Sequence, residues 1–173
     1  MKEIQRSNED FIIHYNKYGD PEFPPAWMTL EVVSMGTLSK LFYALSDTNP
    51  SSIAITKGFG LKKVYILKNW MHALSTFRNI CAHHSRVWNR RFTISLKLPY
   101  NTDAPFLSKE EAKKIRNNKL FSYLSIILYL LQIISPDSSF KDNLLSLVKN
   151  RPKLVELKDM GFPNQWQDFT LWE

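Results

Sequence analysis

The residues of this chain best suited to chemistry are concentrated in one short run, Arg78-Asn79-Ile80-Cys81-Ala82-His83. Placing the surrounding stretch on a helix at about 100° per residue sorts it into two faces. Leu67, Trp70, Met71, Leu74, Phe77 and Cys81 fall on one side, and His72, Thr76, Asn79 and His83 line up on the other. Two imidazoles, an amide and a hydroxyl in one stripe suit a polar substrate. The same stripe also reads as an ordinary solvated helix face. His72 and His83 can in principle share a metal ion, but no carboxylate stands on their stripe, so no metal site is expected. Cys81 sits among apolar positions, which makes it a poor nucleophile.

The elements that must position this run are helical. A chain of 173 residues fits one domain over 1–173 with a real apolar core. Its five glycines and scarce period-two alternation argue against a sheet. Helical patterns cover 8–17 and 26–46, with a loop marked by Pro21, Pro24 and Pro25 between them, and a short helical turn is predicted at 53–56. The longest helix is expected over 61–84, with continuation to Asn89 left open. Residues 92–98 alternate apolar and polar and form the one plausible extended piece. Ser108-Lys109-Glu110-Glu111 is a capping-box signature. The apolar stretch 120–134 stops at Ser135-Pro136, since proline disfavours a helical residue before it. Ser138 or Ser139 can cap a last helix through Lys149, and the aromatic tail with Met160, Phe162, Trp166 and Trp172 is expected to pack back. The fold class is therefore all-α: a bundle of five to seven helices with at most one short hairpin.

Lys and Arg outnumber Asp and Glu by 23 to 16, a net charge of +7. Such an excess attracts an anionic partner such as nucleic acid, although ordinary surface charge explains it equally well. The single cysteine excludes an internal disulfide and a Cys-rich zinc site. With no apolar leader core at the N-terminus, an intracellular, reducing compartment is expected, the cytoplasm. The 120–134 stretch is too short to cross roughly 30 Å of hydrocarbon, so no membrane association is expected.

Arg78-Asn79 followed by His83 resembles the Arg-x4-6-His signature of HEPN ribonuclease domains, in which a polar residue follows the arginine. The string from Phe77 to Arg90 is similar to the Abi-like (abortive infection) branch of that superfamily. Pro25-Ala26-Trp27-Met28 leading to Glu31 and Gly36, Phe59-Gly60-Leu61, and Met160-Gly161-Phe162-Pro163 with Trp166 extend the likeness over nearly the whole chain. Members of that family usually carry an additional N-terminal region, which is expected to be absent here.

The resemblance implies metal-independent RNA cleavage without a cofactor, in phage defence or as a toxin. The RNA 2′-hydroxyl attacks the adjacent phosphate once a base takes its proton, and the leaving 5′-oxygen needs an acid. His83 is the first candidate for either step, Arg78 for stabilising the phosphorane, and Asn79 for orienting the imidazole or a phosphate oxygen. His84 and His72 are supporting candidates, His84 pointing elsewhere on the helix. On a straight helix Arg78 and His83 stand about 140° apart. The pairing of motif helices across a two-fold axis, which the family implies, makes a homodimer with a composite cleft the expected assembly. An antitoxin or other regulatory protein is a further partner open to such a protein. Arg86, Arg90, Arg91 and Lys97 follow the motif and can grip RNA phosphates, with Trp88, Phe92 or Tyr100 available for stacking. Trp88 is in phase with the apolar face and reads as core. The basic run of Lys109, Lys113, Lys114, Arg116 and Lys119 reads as a solvated helix face.

A second expectation comes from periodicity. On a helix over 26–46, Glu31 falls inside the apolar stripe of Leu30, Met35, Leu38, Leu41, Phe42 and Leu45. A carboxylate there needs a partner, and Arg78 is the candidate. The alternative leaves Glu31 solvated near the helix start. From a different class of function, the fold can also serve as a catalytically silent RNA-binding or protein-interaction module.

Overall fold

The computed structural model describes residues 2–18 and 24–173. The chain groups into two compact units, Met1–Ala44 and Leu45–Glu173.

The first unit holds α1 (Lys2–Gln5), α2 (Asp10–Tyr18), α3 (Ala26–Val32) and α4 (Met35–Ala44). Of the loop marked by Pro21, Pro24 and Pro25, residues 19–23 lie outside the described residues, and Pro24 and Pro25 are irregular and lead into α3. The single helix expected over 26–46 is two helices. Val33 is extended (φ −76°, ψ 147°), which ends α3. Ser34 then starts α4: its Oγ accepts the Thr37 N–H at 3.2 Å, and its carbonyl accepts the Leu38 N–H at 2.9 Å. Two consecutive β-branched residues weaken a helix, and a serine three positions before Thr37 offers a ready N-cap. The Ser34 and Thr37 hydroxyls also bond the Glu3 carboxylate and hold its pKa below the usual carboxylate value.

The second unit carries the remaining helices. α5 (Pro50–Gly58) is longer than the single turn expected, because Asn49 Oδ1 accepts the Ser51 N–H at 2.8 Å and Pro50 takes the first helical position. It is followed by α6 (Val64–Ala82), α7 (Lys109–Lys114), α8 (Leu120–Ile134) and α9 (Phe140–Lys149). Short 3-10 turns follow at Leu157–Met160 and Trp166–Asp168. Among the described residues there is no strand; the nearest thing to one is an isolated bridge between Leu61 and Thr102. The all-α expectation holds. The helical segments outnumber the five to seven expected, because the 26–46 helix divides and several segments are only one or two turns long.

The core of this unit is aromatic. Trp70 of α6 meets Tyr129 of α8 (ring centroids 5.6 Å), and one heptad on, Phe77 meets Tyr123 (5.3 Å). That order of pairing requires α6 and α8 to run antiparallel. Phe106 packs on both Trp70 and Tyr129, and Phe92 on both Phe77 and Tyr123. Buried aromatic groups with a polar tip need a partner. Between α6 and α8 three such tips hold loops: Trp70 Nε1 donates to Lys97 O (2.8 Å), Tyr123 Oη to Ile94 O (2.8 Å) and Tyr129 Oη to Phe59 O (3.1 Å). Burial pushes the Tyr123 phenol up to about 12, so it stays protonated and donates throughout the physiological range. Residues 92–98 have no strand partner, yet Phe92 and Leu96 are buried while Thr93, Ser95 and Lys97 are exposed.

The tail packs back as expected, with Phe162, Trp166, Phe169 and Trp172 around Phe121 of α8. It also corrects the reading of Lys119 as a solvated side chain. Lys119 is buried, its Nζ donating to Asn89 Oδ1 (3.2 Å) and Asp159 O (2.9 Å). It stands at the N-cap of α8, off α7, where the turn through Gly161 covers it. Gly161 has φ +86°, and a Cβ there would collide with the Lys119 Cβ.

The capping box at Ser108 is present, with Glu111 N donating to Ser108 Oγ (3.2 Å) and Ser108 N to Glu111 Oε2 (2.6 Å). Glu111 Oε1 also accepts the Thr170 N–H at 2.9 Å, tying the tail to α7. Partial burial raises the Glu111 pKa, but the bonds from Ser108 and Thr170 outweigh it and leave it lowered. A lowered folded-state pKa means stabilisation that is present above the unfolded carboxylate value and lost as pH falls through the folded one. Glu111→Gln is therefore expected to destabilise the protein by about 1 kcal/mol near neutrality. Thermal melts of both proteins should show that difference closing below about pH 4.5, the usual value of this carboxyl.

Candidate active site on the exposed face of α6

Helix α6 is fixed by what it buries. Val64, Ile66, Leu67, Trp70, Ala73 and Ser75 face inward. Because α8 takes that side, the opposite side is left to solvent, and His72, Asn79 and His83 are all exposed on it. Thr76 is half-buried, and its Oγ1 donates to the His72 carbonyl (3.1 Å), so its hydroxyl proton is committed to the helix.

The helix ends at the motif. His83 is the C-cap (φ −90°, ψ 16°) and His84 has φ +51°. The His84 N–H donates to Cys81 O (3.0 Å) and the Ser85 N–H to Ile80 O (3.1 Å). This pair of bonds is a Schellman motif with a histidine where glycine is usual. His84 thus has a structural task as the left-handed residue that turns the chain. The continuation to Asn89 does not occur. Two further expectations fail with it: Trp88, no longer in phase with α6, is 45% exposed, and Cys81 is exposed in the last helical turn.

The early stop leaves His83 at the open end of the helix. Among the described residues its imidazole has no hydrogen-bonding partner, so both ring nitrogens are available. Arg78 projects about 100° from Asn79 on the helix wheel. The two side chains nevertheless meet, Arg78 Nη1 donating to Asn79 Oδ1 at 3.3 Å. Asn79 lies one turn before His83, about 40° away in projection. The bond links the arginine, on the flank of α6, to a side chain on the face that bears the histidine.

The other candidates lie apart. His72 is on the same stripe, three turns earlier. Arg86, Arg90 and Arg91 lie on the irregular segment after α6, where Arg90 Nη1 reaches back to Arg86 O (3.3 Å). Lys97 is further along, with its backbone N–H on Asn69 Oδ1 (2.8 Å). Phe92 is buried and unavailable for stacking. Glu31 belongs to the short α3, which has no buried residue, and the break at Val33 takes it off the face carrying Leu38 and Phe42. The periodicity that demanded a partner for its carboxylate does not survive. Among the described residues no cluster of three or more His, Cys, Asp or Glu side chains could hold a metal ion. No helix among them is long and apolar enough to cross a membrane.

The family model described as Abi-like protein matches residues 1–89, from α1 through the end of the motif helix. The chain belongs to the Abi-like protein family. No curated protein and no solved structure matches it significantly. In this Abi-like chain the matched stretch holds Arg78, Asn79, His83 and Arg86, while Arg90, Arg91 and Lys97 lie beyond it.

Sequence reasoning missed Tyr65, which is 47% exposed and stands seven residues before His72 on the same stripe. The spacing was legible; a tyrosine near a helix start simply reads as core. The left-handed task of His84 was invisible, because only backbone angles show it. Replacing His84 with glycine should leave thermal stability equal or higher, whereas His84→Val should lower it by about 1–2 kcal/mol. Melts of the two variants check this; equal effects would contradict the Schellman assignment.

Proposed function

We propose that this Abi-like protein is a metal-independent endoribonuclease of the abortive-infection type. The observation that supports the proposal is the Arg78–Asn79 hydrogen bond, which links the guanidinium to a side chain on the face of α6 that ends in His83. In this scheme an imidazole takes the proton of the RNA 2′-hydroxyl, whose oxygen attacks the adjacent phosphorus. Arg78 stabilises the extra negative charge of the phosphorane with paired N–H bonds. The 5′-oxygen leaves with a proton from an acid, giving a 2′,3′-cyclic phosphate and a 5′-hydroxyl end. Asn79 is a positioning residue acting through Arg78, and Arg86 contacts flanking phosphate.

The reaction needs a base and an acid, and the exposed His83 supplies one imidazole. We assign the second imidazole to the partner of a two-fold dimer, in which two α6 ends face one another. Cleavage of RNA in EDTA tests the proposal. His83→Ala is expected to lower the rate by about 10²–10⁴-fold. Light scattering is expected to find a dimer at micromolar concentration. Equal rates for His83→Ala and the unaltered protein would refute the assignment. A folded protein that binds RNA without cleaving it would favour the silent-module reading instead.

A further inference from the structure

At the other end of α6 the surface is concave. A cavity of about 410 Å³ is lined by Lys62, Lys63, Tyr65, Lys97, Tyr100 and Asn101, among others. Lys62 pairs with Asp103, which leaves the ammonium groups of Lys63 and Lys97 as the uncompensated charges of the cavity. Both tyrosine rings are exposed, Tyr65 at 47% and Tyr100 at 62%.

Lys97 is held in place more firmly than a surface lysine requires. Its backbone N–H donates to Asn69 Oδ1 (2.8 Å), while its carbonyl accepts from the buried Trp70 Nε1 (2.8 Å). Asn69 Nδ2 in turn donates to Ser95 O (3.1 Å). The loop is thus pinned to α6 on both sides of the lysine. The Lys97 Nζ lies 5.6 Å from the centroid of the Tyr65 ring. An ammonium beside an exposed aromatic face offers what one nucleotide presents, a phosphate and a base able to stack. An acidic peptide would use the lysines and leave the rings without a task.

The cavity is also in line with the candidate active site. Tyr65, His72, Thr76, Asn79 and His83 recur at intervals of seven, four, three and four residues. Tyr65 and His83 are therefore five full turns apart on one face, separated by about 27 Å along the axis. We infer that the Lys63–Lys97–Tyr65–Tyr100 cavity is a nucleotide subsite that grips single-stranded RNA remote from the scissile phosphate, the strand running along the exposed face of α6. This rests on the ribonuclease reading for the identity of the ligand, but it concerns different residues.

The test measures binding of a labelled single-stranded oligoribonucleotide to the full chain carrying His83→Ala, so that cleavage does not interfere. The four cavity side chains are exposed or make no helix cap, so their removal should leave the melting temperature unchanged. Lys63→Ala with Lys97→Ala is expected to lower the salt dependence of log affinity by about 1.4, at about 0.7 per single-strand phosphate contact. Tyr65→Ala is expected to weaken binding about tenfold, within the range seen for one stacked base. Lys149→Ala with Lys153→Ala, remote in sequence, should do neither.

Unchanged affinity and salt dependence in the cavity variants would overturn the subsite, even if the unaltered protein cleaves RNA. Competition by an acidic peptide of equal charge as effective as RNA would overturn it as well. Cavity-dependent RNA binding by a protein that cleaves nothing would uphold the subsite and remove the ribonuclease reading.

Discussion

The antiparallel contact between α6 and α8 is the constraint on which the rest depends. Trp70 against Tyr129 and Phe77 against Tyr123 fix which side of α6 is buried. Once that side is committed, the residues of the other side have one direction left to face. Aromatic pairs of this kind add about 0.5–1.5 kcal/mol each beyond the area they bury. Their polar tips do as much for the surroundings, because the Trp70 and Tyr123 bonds to Lys97 O and Ile94 O fasten the irregular segment that follows the motif. The core therefore sets the orientation of the candidate site and the path of the basic loop beside it.

The end of α6 is the second determinant. A helix continuing to Asn89 would bury or crowd the neighbourhood of His83 in its own next turn. The Schellman turn at His84 removes that turn and leaves the imidazole at an open end. On the helix wheel Arg78 projects away from it, and its guanidinium bonds Asn79, which stands on the same face as the histidine.

Much of this was legible in the sequence. The 120–134 helix has the bounds expected, because its apolar run and Ser135-Pro136 stop are local signals, and the same holds for the Ser108 capping box. The exposed stripe of His72, Asn79 and His83 followed from helical periodicity. The failures came where a short local signal competed with a long periodic one. Ser34 interrupted an apolar stripe that otherwise ran through it, and so the argument built on Glu31 lost its helix. His84 ended a pattern that Trp88 appeared to continue. Lys119 was misread for a different reason: its burial depends on Gly161, some forty residues away, and no local pattern reports such a contact. The coupling of Arg78 to Asn79 lies between adjacent residues, yet wheel projection places them on different faces, and only side-chain reach reconciles them.

The most direct test of the account is a double-mutant cycle on RNA cleavage in EDTA, using Arg78→Ala, Asn79→Ala and the pair. If Asn79 acts by holding the Arg78 guanidinium on the His83 face, the double variant should lose about as much activity as Arg78→Ala alone, because residues acting as a unit are not additive. Losses that multiply would mean that the two side chains act independently, and would contradict the central claim.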